Sequence, residues 1–144
     1  MRRLTYALAF ALLWVSAGAQ ATAPTARDAA RFTSEVRRVL AESALWNKKK
    51  PDERLKEARA ANTLAQDAER VFGDSPFGEF GKCLNMAQLH RDFVQALNEL
   101  TRQAEVGTGP QDTQKALFPL RTAFQLGETY RTCSDRVSEL EAKR

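Results

Sequence analysis

Residues 79–104 read EFGKCLNMAQLHRDFVQALNELTRQA, and residues 112–143 read DTQKALFPLRTAFQLGETYRTCSDRVSELEAK. In the first stretch Phe80, Cys83, Leu84, Ala87, Val94 and Leu97 recur at the three- and four-residue steps of one helix face, with Met86, Leu89, Phe93 and Leu100 widening it. This spacing predicts a helix from about Glu79 to Ala104, the most buried of the chain. In the second stretch Leu117, Leu120, Phe124, Gly127, Tyr130, Cys133, Val137 and Leu140 mark a long helix from about Asp112 to Lys143. Pro119 has no backbone N–H to donate, so it either kinks that helix or marks its true start. Gly127 costs about 1 kcal/mol relative to alanine in a helix interior, which points to a neighbouring helix packed closely against it.

Gly107, Gly109 and Pro110 break the chain between the two helices. If the helices form a hairpin with its tip near Thr108, Cys83 and Cys133 each lie 25 residues from that tip. At about 1.5 Å rise per residue they sit at the same height, and both fall on the apolar stripes. Two independent patterns thus predict a Cys83–Cys133 disulfide that staples the third helix to the fourth. A redox-active or metal-binding thiol pair would show Cys-x-x-Cys or nearby His and Cys ligands, and neither is present.

Working back toward the N-terminus, Gly73 to Gly78 carries turn chemistry, and Ser75 before Pro76 is placed to cap the third helix. A second helix begins at Pro51, with Asp52 and Glu53 favouring its positive end. Leu55, Ala58, Ala61, Ala65, Ala68 and Phe72 form its apolar face before Gly73 stops it. A first helix runs from about Ala26 to Trp46, opened by a Thr25/Asp28 capping box and marked by Phe32, Val36, Val39 and Leu40. No segment alternates with period two. The expected fold class is all-α: an antiparallel up-down-up-down bundle of about four helices, with one disulfide between helices three and four.

The first residues differ in kind. Arg2 and Arg3 precede an apolar run from Leu4 to Val15, and Ala17-Gly18-Ala19 and Ala19-Gln20-Ala21 both satisfy the small-x-small cleavage pattern. Residues 1–21 are therefore read as a signal peptide, the mature chain starting at Gln20 or Thr22, and residues 22–144 as the bundle domain. The apolar run falls short of the roughly 20 residues that span a bilayer, so no stable membrane anchor is expected after cleavage. A composition rich in Ala and Arg, with no Asn-x-Ser/Thr site, fits a bacterial product in the periplasm or secreted. There an oxidising milieu lets the cysteines pair.

Of the formal charge of +4, half belongs to the leader; the remainder carries 20 basic against 18 acidic residues. That balance lacks the dense basic face nucleic-acid binding needs. Lys48-Lys49-Lys50, beside Pro51, Asp52 and Glu53, reads as a solvated interhelix turn.

Chemistry is sparse. His90 is the only histidine, and with Cys83 in a disulfide it has no nucleophile to activate; no Gly-x-Ser-x-Gly element is present. It is expected at the bundle edge, satisfied by a hydrogen-bond partner. Met86 and His90, adjacent on one helix, cannot flank one porphyrin, and there is no Glu-x-x-His motif and no phosphate-cradling glycine loop. No cofactor, metal or catalytic residue is expected. Leu100-Thr101-Arg102-Gln103 resembles the Leu-Thr-x-x-Gln motif of small periplasmic helical chaperones of the stress-response type. Those four residues occur once and near a helix end, and they carry no assignment.

Phe77 and Phe80, within Pro76-Phe77-Gly78-Glu79-Phe80, are the candidate partner contact, since aromatic anchors are enriched at binding hot spots. The competing reading is that both rings plug the end of the core. The function expected is a non-catalytic binding or structural role in the cell envelope, recognising another envelope protein. The alternatives are an immunity-type inhibitor of an envelope-acting toxin or hydrolase, and a small helical enzyme whose Arg91, Arg121 or Arg131 turn into an Arg/Glu-lined cavity.

Overall fold

The computed structural model describes residues 24–73, 77–108 and 113–143. The leader, Ser75 and Pro76, and Gly109 and Pro110 lie outside the described residues. Four α-helices follow one another: α1 (Ala26–Glu42), α2 (Pro51–Phe72), α3 (Gly81–Glu105) and α4 (Thr113–Ala142), with a 3-10 segment, Ser43–Lys48, between the first two. They pack as the expected all-α, up-down-up-down bundle. Among the described residues no helix is long and apolar enough to cross a membrane.

The helix ends follow local chemistry. Thr25 caps α1 reciprocally with Asp28: the Asp28 N–H donates to the Thr25 hydroxyl at 3.2 Å and the Thr25 N–H to the Asp28 carboxylate at 2.8 Å. The Thr25 hydroxyl also donates to the Asp28 carboxylate at 2.6 Å, and this bond together with that from the Thr25 N–H holds the Asp28 carboxyl below its ordinary pKa. Pro51 opens α2, and the Lys50 N–H donates to Glu53 at 2.8 Å. Gly73 and Gly107 follow the last turns of α2 and α3 with φ of 78° and 69°, a conformation that costs a side-chain-bearing residue more than glycine.

The α-helix of the first segment ends four residues short of the expected Trp46. The chain tightens into 3-10 geometry and folds Trp46 inward against Val39, Ala61 and Val94. Elsewhere in the core Phe32 and Val36 of α1 and Ala68 of α2 meet Cys83, Leu84, Met86, Ala87 and Phe93 of α3 and Leu126 and Val137 of α4. Alanines at 61, 65 and 68 are fully buried and keep α2 close to α3, whereas Leu55, placed on the same stripe by its spacing, is half exposed.

Cys83 and Cys133 are bonded, S–S 2.04 Å and Cα–Cα 4.9 Å, which fixes the hairpin of α3 and α4 in the register their equal distance from Thr108 predicts. α2 and α4 pack extensively on either side of α3, and α1 lies chiefly on α4 and α3, meeting α2 through fewer residues, Phe32 against Phe72 among them. Charge adds to the seam between α1 and α2. The Arg38 guanidinium reaches Glu35 at 2.6 Å, Glu42 at 3.0 Å and Glu57 of α2 at 3.0 Å; the Lys49 ammonium reaches Glu42 at 2.7 Å and Glu57 at 3.3 Å. Lys49 also lies 5.2 Å from the centroid of the Trp46 ring. The middle residue of the basic run is thus a structural member of the bundle, not a solvated turn residue.

The largest departure from the expected pattern lies in α4. The helix continues through Pro119, which therefore does not mark its start. The core-facing line is Pro119, Thr122, Leu126, Thr129, Cys133 and Val137, all buried. Leu117, Leu120 and Phe124 are exposed, and Gly127 is also on the surface, where an added Cβ would meet nothing within 4 Å. Among the described residues no helix packs against Gly127.

Candidate functional site

An α-helix advances 100° per residue, so Leu117, Leu120 and Phe124 lie along the side of α4 opposite its buried line. Leu120 is 69% and Phe124 75% exposed, and Leu117 and Phe118 are each about half exposed. The helix stays in place because Leu126, Cys133 and Val137 hold its other side in the core. The two buried threonines add no unsatisfied hydroxyl: Thr122 donates to the Phe118 carbonyl at 2.9 Å and Thr129 to the Gln125 carbonyl at 2.9 Å. Threonine thus occupies core positions while larger apolar side chains are left outside. Together Leu117, Leu120 and Phe124 present roughly 400 Å² of surface, within the range at which the largest patch on a small protein is often a contact site.

Beside this face a groove of about 440 Å³ runs between α3 and the start of α4, lined by Ala96, Glu99, Leu100, Phe118 and Pro119 among others. Arg121, Gln125 and Glu128 lie along one side of the apolar line and Arg131 continues it beyond Phe124; all four are exposed. Among the described residues neither Arg121 nor Glu128 enters an ion pair.

The two aromatics singled out from the sequence are separated by the fold. Phe80 is buried and stacks on Phe72 with centroids 5.5 Å apart, and Phe72 in turn meets Phe32 at 5.0 Å. It plugs the end of the core. Phe77 lies on the surface, and next to this turn Glu79 pairs with Arg136 of α4 at 2.6 Å.

The residues that an enzyme reading would require do not converge. Arg121 and Arg131 are at the surface and Arg91 pairs with Asp92 at 2.9 Å. A groove of about 340 Å³ between the start of α2 and the end of α3 carries Arg54, Glu99, Arg102 and Glu105, but these charges satisfy one another. The buried Arg54 donates to the Lys49 carbonyl at 2.8 Å and to Glu105, and Arg102 pairs with Glu99 at 2.8 Å. Among the described residues no three His, Cys, Asp or Glu side chains gather as a metal set. Nothing positive indicates catalysis.

His90 is not at the bundle edge. It is fully buried, and neither ring nitrogen has a hydrogen-bond partner among the described residues; Trp46 Nε1 is likewise unpaired. Burial pushes the imidazole down to about 4, with Glu35 opposing the shift, so the ring is neutral at pH 7.

Two sets of residues at helical spacing compete along α4, so spacing alone does not single out its outer face. A signal did exist. Counting back in sevens from Cys133, whose orientation the disulfide fixes, reaches Leu126 and Pro119, both inward.

Comparison of the chain with protein-family models, with curated proteins and with solved structures returns no match.

Proposed function

We propose that this is a small exported protein of the bacterial cell envelope, periplasmic or secreted, with a non-catalytic role in protein recognition. We place its contact surface on the outer face of α4. The observation that carries this reading is the exposure of Leu117, Leu120 and Phe124 in one line on a helix whose opposite side is locked into the core. A single rigid helix face with large apolar side chains is the kind of surface that fills a groove or pairs with another helix. The Cys83–Cys133 disulfide is stable in the oxidising compartments that exported proteins enter, and it ties the helix bearing this face to α3.

The test is site-directed photocrosslinking in cells that export the protein. A crosslinker at Leu120 should give discrete protein adducts, lost on Phe124→Glu, whereas one at the exposed Arg59 of α2 should not. Equal labelling from the two positions, or none from Leu120, would contradict the reading.

A further inference from the structure

We infer that the occupant of this face is a second copy of the same chain, bound through an antiparallel, two-fold symmetric pairing of α4 with α4; the inference rests on the proposal that this face is a protein-contact surface. The distribution of charge along the helix favours this occupant. Arg121 and Glu128 lie on the same edge of the apolar line, three residues before and four residues after Phe124, and both are exposed and without ionic partners among the described residues. A two-fold axis between positions 124 and 125 reverses the helix direction and keeps each edge on its own side. It sets Arg121 of each copy opposite Glu128 of the other, so one pair of residues is used twice. The two Phe124 rings then meet at the axis. On the other edge, Leu120 lies at nearly the height of Gly127 of the second copy, where the missing side chain leaves room for it.

The areas agree with this occupant. Leu117, Leu120 and Phe124 present roughly 400 Å² of apolar surface per copy, which Arg121 and Glu128 along one edge and Arg131 beyond Phe124 extend toward the approximately 800 Å² each partner contributes to a stable interface. The pairing leaves the groove between α1 and α2, about 540 Å³ and on another side of the bundle, uncovered.

Sedimentation equilibrium of the mature, disulfide-bonded protein across a concentration series reads the association directly. The wild type should reach twice the chain mass, and Phe124→Glu should stay monomeric with an unchanged helical circular-dichroism spectrum, since this side chain makes no core contact. Arg121→Glu and Glu128→Arg should each weaken the dimer by about tenfold or more, because symmetry doubles each like-charge contact. The double variant Arg121→Glu/Glu128→Arg should restore it to within a few-fold of wild type. A single-chain mass at every concentration, a dimer indifferent to Phe124→Glu, or a double variant as weak as the singles combined would overturn the inference. A monomer whose Leu120 still crosslinks to a different protein would overturn the self-pairing alone, whereas a monomer with no adduct would remove the contact surface as well.

Discussion

Phe124 and Cys133 stand on opposite faces of α4, nine residues or two and a half turns apart, the one in solvent and the other bonded into the core. The disulfide therefore orients the contact face as well as stapling the bundle. Rotating α4 enough to bury Phe124 would pull Cys133 away from Cys83.

Removal of the disulfide by Cys83→Ser with Cys133→Ser should lower stability by up to about 4 kcal/mol, the loop-entropy value for a bridge spanning 50 residues. The far-ultraviolet circular dichroism should remain helical. Thermal melts of the oxidised protein, the reduced protein and the double variant measure this, and identical midpoints would contradict the structural role of the bond.

His90 should make the fold sensitive to mild acid. Its folded pKa of about 4 lies below the unfolded value near 6.5, so between these pH values the unfolded chain binds more protons. Stability from this group is complete above pH 6.5 and falls as pH drops toward 4. Glu35, Arg38 and Glu57 are the charged groups acting on it, and the carboxylates among them do not neutralise the cost of burial. Denaturant titrations at pH 7 and pH 5 should differ by about 2 kcal/mol in the wild type through this residue. His90→Leu should abolish that difference and match or exceed wild-type stability at pH 7, because no unpaired ring nitrogen remains buried. An unchanged pH difference would show that another group is responsible.

Glu57 holds the sparse seam between α1 and α2 by accepting from both Arg38 and Lys49, and the hydrogen bond from Arg38 keeps its carboxyl below the ordinary range. Glu57→Gln should cost about 1 kcal/mol, a difference that shrinks at molar salt because the ion network is only partly shielded from solvent. Urea titrations of both proteins at low and high salt measure this. A loss that salt leaves untouched would mean that packing, not charge, closes the seam.

Much of this architecture is legible before any coordinates. Helix number, the Thr25/Asp28 cap, Pro51 as the first residue of α2 and the Cys83–Cys133 pairing all rest on local chemistry or on arithmetic about one hairpin, which tertiary packing does not override. What the sequence concealed lay where side-chain type misleads about direction. Thr122 and Thr129 look like solvent residues, yet each satisfies its hydroxyl on its own helix and packs inward, which turns Leu117 and Phe124 outward. His90 looks like an edge residue and is buried; Lys49 looks free and is held by two carboxylates and a tryptophan ring.

Paired truncations in α4 test the orientation on which the contact face depends. Leu126→Ala should destabilise the monomer by about 3 kcal/mol as a core truncation, and Phe124→Ala should change it by no more than about 0.5 kcal/mol as a surface one. Both are read by urea denaturation at a concentration below self-association. The reverse order, a costly Phe124→Ala beside a silent Leu126→Ala, would place the aromatic in the core and contradict the outward face of α4.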